Sequence, residues 1–289
     1  MTRRDILTAV PVAFSADGSL DLDGSREILE YVAASGNEGA FVLGTTGEFP
    51  SLSFEERGEL TKLSLDVLSP VMRVVVHAGA PSLYEVLRLI DQAKELGAKE
   101  IAVLTPYYLP ATDDALRDFF TAVNNASDGL DVYVYVYQKR SGNFVSVALM
   151  AELAQLSNIV GAKVSEEPLE LIAQYREVVP AEFLIYTGAD RELANAAAAG
   201  AQGVVSGISS VLPKPFRALA AAADTGDAAQ IEKAQADVDV VVAAIAGNMG
   251  RMKAAYRALG VNGGTTRMAI EAPDAAAIAE IDRVVGIYR

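Results

Sequence analysis

Two periodicities alternate along this chain. Short runs rich in β-branched and aromatic residues predict strands over residues 7–14, 40–43, 73–77, 100–104, 131–137, 159–164, 183–186 and 203–206. Between them, apolar positions recur at three- and four-residue spacing over 24–35, 54–68, 83–96, 113–125, 147–155, 169–178 and 191–199, the pattern of helices with one buried face. The helix over 54–68 follows a capping-box sequence, Ser53-Phe54-Glu55-Glu56, and Gly97 and Gly200 stand where a helix C-terminus favours a left-handed residue. Eight strands separated by helices match a closed parallel barrel better than an open sheet.

The expected fold is therefore α/β, a (β/α)8 TIM barrel with a C-terminal helical extension. No linker-like stretch interrupts the rhythm before about residue 210, so the barrel is assigned to residues 1–212. From Pro215 on, the sequence is helical and alanine-rich, with breaks near residues 225–226, 247 and 260–264. That pattern reads as about three extra helices, a region at 213–289 packed on the barrel as a cap or a subunit contact.

Composition narrows the function. The chain has 289 residues, 51 % of them hydrophobic, which argues against disorder. A net charge of −14 argues against nucleic acid as a partner, because phosphate recognition needs basic surface. There is no Cys, so thiolate chemistry is excluded. His77 is the single histidine, so a multi-histidine metal site is excluded too. No stretch has the apolar length of a membrane span, and the N-terminal residues run straight into strand-like sequence without a signal-peptide pattern. These exclusions leave a cytoplasmic protein for which no metal or cofactor is expected, and the acidic balance says nothing positive about a ligand.

In a barrel, chemistry belongs at the C-terminal ends of the strands. One residue there stands out. Lys163 lies inside the apolar run "IVGAKV", whose two faces are both buried if the strand is parallel. Desolvation lowers an amine's pKa, and a neutral lysine is the nucleophile that makes a Schiff base with a ketone. A buried ion pair with Glu166 or Asp190, or a lysine reaching the rim, is the other reading. A second feature is "LGTTGEFP" at 43–50: two threonines between glycines after a strand can bind a carboxylate, or can simply make a tight turn. A third is "VYVYVYQKRSG", where Tyr133, Tyr135 and Tyr137 share a strand face. They are packing, or one of them has a chemical task, and periodicity alone does not choose.

Gly44-Thr45-Thr46-Gly47-Glu48, the "TPYY" at 105–108, a strand-end tyrosine and a lysine in "IVGAK" 28 positions later together resemble the dihydrodipicolinate synthase / N-acetylneuraminate lyase family over nearly the whole chain. The resemblance implies a (β/α)8 barrel, usually a homotetramer, whose lysine, Lys163 here, forms a Schiff base with pyruvate or another 2-oxo acid. It implies that Tyr135 relays protons, with Thr46 and a neighbouring subunit's Tyr108 completing the relay. It implies that Thr45 and Thr46 hold the pyruvate carboxylate, that Arg140 binds the carboxylate of the aldehyde, and that Gly47, Gly188 and Val205 border the substrate.

Departures are as informative. The family often reads Tyr-Asn-x-Pro after its catalytic tyrosine, whereas this chain reads Tyr135-Val136-Tyr137-Gln138, without the loop-shaping proline. "GEFPSLS" is more like the 2-keto-3-deoxy sugar-acid and 4-hydroxy-2-oxoglutarate aldolase branches. Pro81, Phe54 and Arg57 replace residues that lysine-inhibited synthases commonly carry, which argues against that feedback. His77 is expected to pack at a strand end. The implied function is a lyase or synthase joining pyruvate to an aldehyde, dihydrodipicolinate synthase-like. The alternatives are a sugar-acid or hydroxy-oxoglutarate aldolase or dehydratase of the same family, or a non-catalytic 2-oxo acid binding protein.

Overall fold

The computed structural model describes residues 4–289. In chain order the elements are β1 (Asp5–Ala9), α1 (Leu22–Ala33), β2 (Gly39–Val42), α2 (Phe54–Leu68), β3 (Arg73–His77), α3 (Leu83–Glu95), β4 (Glu100–Leu104), α4 (Asp113–Ala126), β5 (Asp131–Val136), α5 (Gln138–Ser141), α6 (Val147–Leu153), β6 (Ile159–Val164), α7 (Leu169–Val178), β7 (Leu184–Thr187), α8 (Leu193–Ala196) and β8 (Gly203–Ser206). The strands close in sequence order into one barrel, a (β/α)8 TIM barrel as the pattern predicts. Four helices follow: α9 (Pro213–Thr225), α10 (Ala228–Ile245), α11 (Met249–Ala258) and α12 (Ala275–Tyr288).

Strand residues are buried almost throughout, as expected where helices cover a parallel sheet. The helices start where side chains can accept the orphan amides of a first turn. Asp21, Ser82, Thr112 and Ser146 cap α1, α3, α4 and α6, and Ser53 and Glu56 close the predicted capping box on α2. Each such cap contributes about 1 kcal/mol. Gly97 adopts the left-handed backbone (φ 89°) after α3, where a Cβ would be strained.

Three expectations need correction. β1 ends at Ala9 rather than running to residue 14, since Pro11 has no amide to donate to a ladder; Phe14 makes isolated bridges with Leu20 and Thr265 instead. The helix expected over 191–199 is a 3-10 turn at Asp190–Glu192 followed by the single turn of α8. The tail holds four helices rather than three. The predicted breaks are present, with left-handed Gly226 and Ala246–Gly247 ending α9 and α10, but each break separates two helices and the last stretch forms α12.

The chain condenses into two compact units, Val75–Val205 and Asp5–Val74 with Ser206–Arg289. In the first, β4 to β8 pair in parallel, and the registers set Leu104, Tyr135 and Lys163 side by side and Tyr186 beside Lys163. Lateral neighbours in a sheet point to the same face, so Tyr135, Lys163 and Tyr186 form one row. In the second unit, β1 pairs with β2, and the final helices pack together, α10 against α9 and α12 against α11.

Candidate active site

In the first unit the site is built around Lys163, one residue before the end of β6. Its Nζ lies 4.3 Å from the centre of the Tyr135 ring, over the face, and the residue is 6 % exposed. Burial pushes its pKa down to about 7, while the charge of Asp190 pulls the other way. A lysine with the ordinary value of 10.5 is almost entirely protonated at neutral pH; here the neutral amine becomes accessible near neutrality. Two positions upstream, Gly161 explains the glycine of "IVGAKV". A Cβ there would sit 2.6 Å from the Tyr133 ring and 2.4 Å from the Leu184 carbonyl. Only glycine leaves room for that ring beside β6.

The three tyrosines are now distinguishable. Tyr133 donates from its hydroxyl to Glu100 and meets Tyr186 edge-on at 6.1 Å. Tyr135 is 1 % exposed and touches His77 edge-on at 5.8 Å. Tyr137 leaves the strand, stacks on Tyr135 at 6.1 Å, and donates its hydroxyl to Glu166 Oε1. Its pKa is pushed up to about 12 by burial and by that carboxylate. Of the two carboxylates proposed as ion-pair partners for Lys163, Asp190 acts through its charge, whereas Glu166 is engaged by Tyr137 and by Lys139 at 3.2 Å.

Arg140 is exposed, on the single turn of α5, with its Nε 3.4 Å from the Tyr137 hydroxyl. Gly188 follows β7; its amide donates to Val164, and a Cβ would collide with Ser165 Oγ at 2.3 Å. Val205 is a buried residue of β8. Tyr108 is 90 % exposed with a left-handed backbone (φ 83°), unusual for a bulky residue. Asn143 holds that loop: its side-chain amide donates to the carbonyls of Pro106 (2.7 Å) and Leu109 (2.9 Å), and its oxygen accepts from Ala111 N at 2.7 Å. Nothing in "SGNFV" singles Asn143 out, because its partners lie more than thirty positions away.

In the second unit, Thr45–Gly47 form a 3-10 turn after β2. Gly47 N and Glu48 N donate to the carbonyls of Gly44 and Thr45, so those amides close the turn. Thr45 and Thr46 are half-buried, and Gly47 is buried. Gly44 must lack a side chain, since a Cβ would lie 2.6 Å from the Phe41 ring. Phe49 is buried with the Arg57 guanidinium 5.6 Å over its ring, so this part of "GEFPSLS" serves packing.

Glu48 is fully buried with a left-handed backbone (φ 54°). One oxygen binds Lys253 Nζ at 2.6 Å, and the other accepts from Arg267 N and Met268 N at 2.9 and 2.8 Å. Lys253 Nζ also donates to the Thr265 carbonyl at 2.5 Å. Sequence reasoning missed this tie: a lysine on an amphipathic helix looks solvated until a distant segment covers it. Among the described residues no group of three or more His, Asp or Glu side chains could hold a metal ion, and no helix is long and apolar enough to cross a membrane.

Comparison with known proteins gives this arrangement its context. Residues 2–280 match the model of the dihydrodipicolinate synthetase family. A 4-hydroxy-tetrahydrodipicolinate synthase of Rhodopseudomonas palustris is 33 % identical over 80 % of this chain and 78 % of its own. An uncharacterized DapA-like lyase of Halobacterium salinarum is 31 % identical over 93 % of this chain and 88 % of its own. Among solved structures, the dihydrodipicolinate synthase of Thermotoga maritima superposes with a TM-score of 0.91 at 27 % identity, covering 100 % of this chain and 99 % of the other. The chain is an enzyme of the lyase class and belongs to the dihydrodipicolinate synthetase family.

Proposed function

We propose that this lyase condenses pyruvate with an aldehyde that carries a carboxylate, or cleaves the reverse aldol, through a Schiff base on Lys163. The observation that carries the reading is the buried Lys163 amine, drawn to about 7 and lying over the Tyr135 ring. The neutral amine attacks the ketone carbon of pyruvate. The carbinolamine loses water to give the imine, loss of a proton from the methyl group gives an enamine, and the enamine carbon attacks the aldehyde. Water then releases the product and restores the amine.

Each remaining assignment follows the family. Tyr135 gives and takes the protons of carbinolamine formation and of the aldehyde oxygen, with Thr46 and a partner subunit's Tyr108 leading them to solvent. Thr45 and Thr46 hold the pyruvate carboxylate, and Gly47, Gly188 and Val205 border it. Arg140 takes the aldehyde's carboxylate. The exposure of Tyr108 on its strained backbone supports a homo-oligomer, dimer or tetramer, in which that ring is covered. Arg140 favours a dihydrodipicolinate synthase-like reaction, with aspartate semialdehyde the matching aldehyde.

Pyruvate with borohydride tests the reading, because reduction makes the imine permanent. One lysine should be labelled, and peptide mapping should place the label on Lys163. A label elsewhere, or none with several 2-oxo acids, overturns it.

A further inference from the structure

The loop after β5 lacks the proline that often follows the tyrosine in chains of this pattern, and a run of polar contacts occupies its place. The Tyr137 hydroxyl donates its single proton to Glu166 Oε1. Its oxygen is then left as an acceptor, and Arg140 Nε donates to it across 3.4 Å, with the guanidinium carbon 5.9 Å from the ring centre. Lys139 lies 3.2 Å from the other oxygen of Glu166, so the carboxylate's nearest cation is the lysine. Arg140 thus keeps Nη1 and Nη2, the end of its fork, outside the hydrogen bonds made among the described residues. Glu166 occupies a left-handed position (φ 56°), a conformation disfavoured for a residue with a Cβ, three residues after Lys163. Backbone strain is retained there at the edge of the site.

The geometry points to Tyr137 and Glu166 as a brace that aims Arg140, positioning residues that set the preference for carboxylated over neutral aldehydes. This rests on the Schiff-base reading above. An exposed arginine on a four-residue helical turn samples many rotamers, and fixing it costs affinity when the ligand binds. Holding it by Nε beforehand removes part of that cost and presents Nη1 and Nη2 for a bidentate, end-on contact with a carboxylate. The direction of the proton matters: without Glu166 to accept it, the Tyr137 hydroxyl has no reason to turn its lone pair to Arg140.

A double-mutant cycle tests this. Wild type, Tyr137→Phe, Arg140→Ala and the double variant are compared with pyruvate plus aspartate semialdehyde, glyoxylate or glyceraldehyde, and each is checked for the borohydride-trapped imine. Tyr137→Phe keeps the ring and loses the brace. It should reduce the ratio of kcat/KM for carboxylated over neutral aldehyde by about 5–10-fold, through KM rather than kcat. In the Arg140→Ala background the same change should move the ratio by less than about twofold, since nothing remains to aim. Glu166→Ala should mimic Tyr137→Phe. Equal effects of Tyr137→Phe in both backgrounds would make it packing and overturn the brace. If wild type forms the imine but ignores both carboxylated aldehydes, the brace is overturned while the Schiff base stands. If wild type forms no imine on Lys163, the underlying reading fails first.

Discussion

Lys163 in β6 and Lys253 in α11 are 6 % and 1 % exposed, and burial draws both below the ordinary lysine pKa. Their surroundings treat that burial differently. Lys253 meets the Glu48 carboxylate at 2.6 Å and a backbone carbonyl, and Glu48 in turn takes two backbone amides, so every charge is bonded in place. Lys163 has the face of Tyr135 at 4.3 Å, and the carboxylate that acts on it, Asp190, does so through its field. Burial lowers both amines; Lys163 is drawn down to about 7 and so loses its proton near neutrality, whereas Lys253 is tied to the Glu48 carboxylate at 2.6 Å. Burial by itself does not separate the two cases.

The sharpest way to break this comparison is to remove each ammonium and watch stability. Lys253→Met leaves the fully buried Glu48 carboxylate without its counter-charge, a loss of about 3–5 kcal/mol. In a chain of this size that lowers Tm by roughly 10 °C. Adding Glu48→Gln should recover part of it, because the amide oxygen still accepts from Arg267 and Met268. A urea midpoint unchanged in Lys253→Met would show that the pair contributes nothing and that Lys253 is not a tie.

Lys163→Met should act with the opposite sign. Above pH 10.5 folded and unfolded chains both hold the neutral amine, and the lysine costs nothing. As pH falls, the unfolded chain takes up a proton first, and the folded chain follows only near 7, so the cost grows between those values and is complete below about 7. The methionine variant should therefore be more stable than wild type by a few kcal/mol at neutral pH, with the gain fading toward pH 10.5. Destabilisation at pH 7, measured by urea unfolding, would mean that Lys163 is a tie after all.

This contrast also marks what the residue string discloses. Lys163 was legible because a charge inside a short apolar strand breaks a two-sided pattern. The barrel was legible for a related reason, since eight apolar runs at regular spacing admit few topologies. Lys253 was not, because the period of a helix tolerates lysine on its outer face, and burial here depends on residues 265–268 folding back over it. Tyr135 was one of three equivalent positions until the family resemblance aligned it; the register with Lys163 then set it apart from Tyr133. The brace at Tyr137 and Glu166 joins residues 29 apart, and the pattern gives no hint of it. The helix count in the tail suffered from alanine, which forms helices everywhere and so leaves only breaks to read.

The finest test of the comparison is the pH at which the Lys163 amine becomes a nucleophile. Imine formation with pyruvate requires the neutral form, so its initial rate, sampled by reductive quenching, should fall about tenfold per unit below the pKa and level off above it. With the amine drawn to about 7, the break should lie there, far below the 10.5 of an ordinary lysine. Pyruvate's own carboxylate stays ionised over this range and adds no second limb. Asp190 gives the test its control. Its charge raises the Lys163 pKa against the larger effect of burial, so Asp190→Asn should move the break to lower pH and leave the plateau in place. A break that stays near 7 in Asp190→Asn would show that the Asp190 charge does not offset the burial of Lys163. A wild-type rate that keeps rising toward pH 10 would mean that Lys163 is held charged, as Lys253 is by Glu48, and would erase the difference between them.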